Sequence, residues 1–186
     1  MDMSKKRLFV LAISALSILI SSASSAGNID VSRILKNKDS ISVYVSGFAD
    51  QTGGGQISAD EFKKSFEAAL LKRKSIKFEM AKNPDASGVE ISGTIKKYQY
   101  LVNDPVTTFA SPTGLLLDAA TTENYVTMET EFQVIETRTR QILWKDTISS
   151  FLKRRMTQSE SVPLIYDKLS RTFLWKCFGK GKSNPL

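Results

Sequence analysis

The chain has no histidine, and that absence excludes much chemistry. Ser-His-Asp and Cys-His nucleophiles need an imidazole to carry the proton, and the common zinc sites use one as a ligand. Cysteine is nearly absent too. A single thiol, Cys177, stands close to the C-terminal end, so no intramolecular disulfide can form and the domain is held by its core. Cys177 either pairs with another chain or stays idle as a buried thiol. No cysteine follows the N-terminal apolar run, so a lipoprotein-type signal is lacking. There is no internal repeat, and no second domain is expected.

What is present begins with "MDMSKKRLFVLAISALSILISSASSAGN". Lys5, Lys6 and Arg7 precede an apolar run from Leu8 to Ile20, and Ser24 and Ala26 suit the −3 and −1 positions of a signal peptidase site. The run is shorter than the roughly 18–20 residues of a membrane-spanning helix. A secretory signal over residues 1–26, cleaved at Ala26, is therefore expected, with an uncleaved anchor as the alternative. Residues 27–40 read as a polar leader, 41–179 as one α+β domain and 180–186 as a basic tail. Without the signal's three basic residues and Asp2, 23 basic side chains stand against 18 acidic ones. That surplus is mild and dispersed, and with export it argues against nucleic acid as a partner. An anionic envelope surface fits the charge better.

The patterning of the domain is legible. "ISVYVSGF" at 41–48 alternates Ile41, Val43 and Val45 with polar neighbours, as a half-buried strand does. Ser58 and Glu61 form an S-x-x-E capping pair, with Ile57 and Phe62 as a hydrophobic staple. Phe62, Phe66, Ala69 and Leu70 then share one face of a helix that runs to about Lys74. Short strands follow at 76–80 and 89–102. In 124–137, Val126, Met128, Thr130, Phe132 and Val134 alternate with Thr127, Glu129, Glu131 and Gln133. This predicts a sheet with one covered and one wet face. A tight turn leads into "QILWKDTISSF", and a closing helix over about 161–178 carries Val162, Ile165, Leu169 and Phe173 in a stripe, with Gly179 as its stop. The order β-α-β-β-β-β-α predicts a two-layer α+β sandwich, a mostly antiparallel sheet with two amphipathic helices on one face. Trp144, Trp175 and Phe178 are expected in the core or in helix packing.

Three stretches are candidates for function. "FADQTGGGQISADEF" has the outline of a phosphate cradle, but it lacks both the P-loop lysine and the third glycine of a dinucleotide turn. Asp60 and Glu61 would repel a phosphate and Ser58 occupies a backbone donor, so the glycines read as a flexible connector. The carboxylates Glu129 and Glu131 read as a solvated strand face. No catalytic residues, cofactor or metal are assigned, and the chain is expected not to be an enzyme. The segment 102–124 is long for a connection inside a compact domain. It carries Val106, Phe109, Leu115, Leu116 and Leu117, which either fold back on the sheet edge or are offered to a partner.

"VYVSGFADQT", "GVEISGTIKKYQY" and "ENYVTMETEFQVIETRTRQILWKD" together resemble the lipopolysaccharide-assembly lipoprotein family LptE over about residues 41–150. The likeness lies in an opening strand, a G-x-I-x-x-Y strand and a long Tyr-containing strand whose turn runs into "x-x-L-W". More broadly, the layout is similar to the CsgG, LpoB and TolB N-terminal group of envelope proteins. The resemblance implies a non-catalytic periplasmic accessory or scaffold, associated with the outer membrane, that binds an envelope protein such as an outer-membrane β-barrel. It also implies contact with lipopolysaccharide through basic residues, for which Lys96, Lys97, Lys153, Arg154 and Arg155 are the candidates. A periplasmic small-ligand or lipid-binding module, or a component of another envelope or secretion complex, is the alternative.

Overall fold

The computed structural model describes residues 29, 39–102 and 123–179. Ala26, the loop candidates Phe109, Leu115, Leu116 and Leu117, and the basic tail lie outside the described residues. The elements are β1 (Ser40–Asp50), α1 (Ala59–Lys72), β2 (Lys77–Met80), β3 (Val89–Leu101), β4 (Asn124–Glu136), β5 (Ile142–Arg154) and α2 (Gln158–Phe178). Their order is the one that the patterning predicts.

The strands form one open sheet in the order β2-β1-β3-β4-β5. Helix α1 carries the chain back along the sheet, so β2 can lie parallel to β1. β1 is also parallel to β3, whereas β3–β4 and β4–β5 are antiparallel and form the longer ladders. The sheet is thus mostly antiparallel, and both helices cover one face of it. β1 and β5 point the same way, so the helices that leave their C-terminal ends also run parallel, with both N-termini at one end of the molecule.

Phe132 on β4 is the hub of the core. Its ring centroid lies 4.7 Å from Phe173 of α2, 5.7 Å from Phe66 and 6.3 Å from Phe62 of α1, and 5.7 Å from Phe48 of β1. Val126, Met128, Thr130 and Val134 share its buried side, as the alternation predicts. Register shifts break strict alternation at three places, one of them between Val134 and Ile135 in the β4–β5 ladder. The β1–β3 register shifts between Val45 and Gly47, where Gly47 takes a φ of 138° that side-chain-bearing residues rarely adopt. This turns Phe48 inward, over Gly93. A Cβ at Gly93 would come within 2.8 Å of the Glu131 carbonyl and of the Phe48 ring, so only glycine fits beneath Phe48. The β3–β4 shift, between Ile95 and Lys97, turns Tyr98 and Tyr100 toward the core and Lys97, Gln99 and Leu101 away from it.

Arg73, just beyond α1, ties the C-terminal ends of the two helices together. Its guanidinium donates to the carbonyls of Leu174, Phe178 (3.4 Å) and Gly179 (2.7 Å). The Phe178 carbonyl is in the last turn of α2 and the Gly179 carbonyl at its cap, where no donor is available within the helix. Burial lowers the Arg73 pKa, against an opposing pull from Cys177. The backbone N–H of Ile29 adds a bond to the Cys177 carbonyl at 2.8 Å, so the leader touches the same corner.

Trp144 and Phe178 are buried as expected, but Trp175 is not. It is 43% exposed, because it lies two residues from the core-facing Phe173 and so about 200° around the helix.

Candidate functional site

Both helix N-termini, the β1–α1 connector and the C-terminal ends of β1, β3 and β5 gather at one end of the molecule. Between the two helices lies an open groove of about 550 Å³, lined by Gln56, Ile57, Ser58, Glu61, Ser159, Pro163, Tyr166 and neighbouring side chains. Gly53 and Gly55 have φ of 69° and 59°, which lets the chain turn off β1 and double back into α1. Tyr166 holds this connector against α2. Its hydroxyl accepts from the Ser58 N–H at 3.0 Å and donates to the Ser58 carbonyl at 3.1 Å. Burial raises the Tyr166 pKa, partly offset by the bond to the Ser58 backbone.

The groove is poorly suited to an anion. Ser58 Oγ accepts from the Glu61 N–H at 3.2 Å, and Thr157 Oγ1 from the Glu160 N–H at 3.3 Å, so each helix start is already capped. Asp60, Glu61 and Glu160 place negative charge in the two first turns. Asp50 is engaged by Thr52, whose N–H and hydroxyl both donate to its Oδ1. The glycine stretch is a connector, as its sequence indicates. Among the described residues no group of three or more Cys, Asp or Glu side chains could hold a metal ion. No described helix is long and apolar enough to cross a membrane, which says nothing of membrane-crossing strands.

The opposite, outer face of the sheet has no covering layer among the described residues. Most of it is polar and cross-linked by ion pairs such as Lys145–Glu131 at 3.2 Å and Arg140–Glu90 at 2.8 Å. One corner differs. Leu101 pairs with Tyr125, Tyr125 with Lys153, and Phe151 stands on the next row opposite Thr127. The Tyr125 and Phe151 rings stack at 5.8 Å, and Leu101, Val102 and Phe151 are 50%, 55% and 46% exposed.

The basic candidates fall around that corner. Lys153 reaches Glu123 at 2.7 Å and sits 5.7 Å above the Tyr125 ring, and the bond to Glu123 raises its pKa. Arg154 and Arg155 follow it and are exposed. Lys97 stands beside Glu129 on the outer face, two rows from Leu101. Lys96, its exposed neighbour, donates instead to Gln51 Oε1 at 3.2 Å on the β1 side. Lys153 thus borders the apolar corner directly, Arg154 and Arg155 follow it at the end of β5, and Lys96 points away from it. Sequence reasoning missed Leu101, Tyr125 and Phe151 as a group. The signal was present: Tyr125 and Phe151 are large side chains at positions that are otherwise polar in their strands.

No family model matches the chain, and no curated protein matches it. Solved structures share its fold. Two crystal structures of PelC dodecamers from Paraburkholderia phytofirmans align with TM-scores of 0.51 and 0.50, at 12% and 13% identity. They cover 76% and 75% of this chain and 90% of each PelC chain. A hypothetical protein from Chlamydia trachomatis aligns with a TM-score of 0.46 at 8% identity, over 73% of this chain and 94% of its own. A lipoprotein from Neisseria meningitidis aligns with a TM-score of 0.41 at 9% identity, over 72% of this chain and 97% of its own.

Proposed function

We propose that the chain is an exported, non-catalytic accessory or scaffold protein of outer-membrane assembly, LptE-like in role. It would dock on an envelope protein of the β-barrel kind and meet lipopolysaccharide with basic side chains. The observation that carries this reading is the uncovered outer sheet face, with an exposed aromatic corner that Lys153 overlies and with Lys97, Arg154 and Arg155 in its neighbourhood. Apolar surface rimmed by charge is the usual make-up of a protein-docking patch. The basic N-terminal segment and its apolar run support export, and the absence of histidine argues against most hydrolytic chemistry. The PelC chains that share this fold form dodecamers, which supports a building-block role in a larger assembly.

The test is capture from crosslinked, detergent-solubilised envelopes, with proteins and lipids both identified. The reading expects a β-barrel or another envelope-assembly component, lost when Leu101 and Phe151 are both replaced by serine in a variant that still folds. Retention of the same partner by that variant overturns the docking face. Serine at Leu115, Leu116 and Leu117 tests the adjoining loop in the same way.

The groove favours a second reading, a periplasmic small-ligand or lipid-binding module. Its walls mix Ile57, Val162 and Pro163 with hydroxyl groups, as a site for a neutral amphiphile would. Organic extraction and mass spectrometry of the purified protein should then release one stoichiometric small molecule, without any protein partner.

A further inference from the structure

β5 ends the sheet on one side, and among the described residues no strand lies beyond it. A long exposed edge of this kind presents unpaired N–H and C=O groups and templates pairing with another chain. In the antiparallel ladder with β4, alternate residues turn both backbone groups toward the partner or away from it. Thr147 and Phe151 lie on the outward-turned set, because their edge groups are taken by side chains and not by β4. The Thr147 N–H donates to Asp146 Oδ1 at 2.8 Å, and the Phe151 carbonyl accepts from Lys168 Nζ of α2. Asp146 is itself held by Lys176 Nζ of α2, at 3.1 Å through its second oxygen.

The spacing makes these two contacts one device. Lys168 and Lys176 are eight residues apart, about 12 Å along a helix at 1.5 Å per residue. The β5 residues they reach, Phe151 and Asp146, are five apart, about 16 Å along a strand at roughly 3.3 Å per residue. Since α2 runs back along β5, the earlier lysine meets the later strand residue, and the long lysine side chains span the difference. Asp146 stands between the buried Trp144 and Ile148 on the helix side of the strand, so it is an inward-pointing charge at an edge. The other sheet edge needs less protection, because β2 spans only Lys77–Met80.

We propose that Asp146, Lys168 and Lys176 form a latch by which α2 closes the β5 edge to strand pairing with a second copy of this chain. The latch leaves the outer face and its aromatic corner open, so association through that face does not require the edge. Its failure is separable from that of the envelope reading, because the test uses the purified chain alone.

The experiment compares the signal-free chain with Lys168→Met and with the double variant Asp146→Ala, Lys168→Met. Circular dichroism checks the fold, sedimentation velocity reads association over a concentration series, and amide exchange reads the β5 edge. Methionine keeps the apolar stem of Lys168 and removes only the donor, so the single variant remains interpretable if the double one is destabilised. The expected result is at least a tenfold lower self-dissociation constant on unlatching. The amides of Lys145, Thr147 and Ser149 should become protected as concentration rises. Equal association of wild type and variants, or association without protection of those amides, overturns the proposal.

Discussion

Thr130 is fully buried in the middle of β4, and its hydroxyl has no hydrogen-bond partner. A buried polar group without a partner costs free energy that an apolar group of the same shape does not. Thr130→Val should therefore stabilise the domain by about 1 kcal/mol, seen as a higher urea midpoint at unchanged slope. The same position is where the strand pattern reads correctly but its chemistry does not. Alternation puts Thr130 inward, yet nothing in the sequence says that its oxygen finds no partner there. Cys177 resolves an alternative that the sequence leaves open. It is buried, and burial pushes its thiol pKa well above the ordinary value. An inaccessible neutral thiol neither attacks a disulfide nor crosslinks. Thiol titration of the folded chain at pH 8 should find Cys177 unreactive, and denaturation should release it. The sign for stability follows from the raised pKa. The contribution is whole below the ordinary thiol value and is lost as pH climbs beyond it, since the unfolded thiol ionises first.

At the scale of elements, α2 starts earlier than its apolar stripe suggests. The stripe begins at Val162, but the helix begins at Gln158 because Thr157 and Glu160 form a reciprocal capping box. Thr157 N–H donates to Glu160 Oε2 at 2.7 Å, and the Glu160 N–H donates back to Thr157 Oγ1. "TQSE" carries the same capping signature as "SADE", and both helix starts were open to reading from capping residues alone. Thr157→Ala should cost about 1 kcal/mol. The bonds from the Thr157 backbone and side chain lower the Glu160 pKa. Stability from this cap is therefore present above the ordinary carboxylate range and lost as pH falls through the depressed value. In acid the gap between wild type and Thr157→Ala should narrow without closing, because the bond from the Glu160 N–H to Thr157 Oγ1 does not titrate. The strands were legible for a related reason: a period of two survives wherever one face is buried, as in β4. It fails at Gly47 and after Ile95, where a bulge adds a residue and reverses inside and outside. Alternation alone therefore does not carry Phe48, Tyr98 and Leu101 to their faces, and the outer corner stays hidden with them.

For the whole molecule, the two-layer architecture followed from element order, because two amphipathic helices and a one-sided sheet have few ways to bury both apolar faces. Which strands would be neighbours did not follow. The central place of β1, between β2 and β3 and parallel to both, depends on contacts across some fifty positions of chain that no local pattern encodes. The groove likewise arises where two parallel helices lie side by side against the β1–α1 connector, and none of its residues marks it in sequence. Of the candidate site, the sequence offered the basic side chains Lys153, Arg154 and Arg155 but not the stacked Tyr125 and Phe151 beside Lys153.

The central position of β1 also has a consequence in time. Among the described residues β1 is the first strand made, yet its long parallel partner β3 is reached only after α1, β2 and a turn, whereas β4 and β5 need only a short turn to find each other. Closing the longer loop costs more chain entropy before any pairing rewards it. The β4–β5 hairpin should therefore organise before β1 is received. Val134→Ala should slow refolding more than it speeds unfolding, and Val43→Ala should do the reverse, as stopped-flow chevrons would read. A nascent chain of this topology stays open along its first half until its second half exists, and that delay is the state in which a polypeptide can still be threaded through a narrow pore.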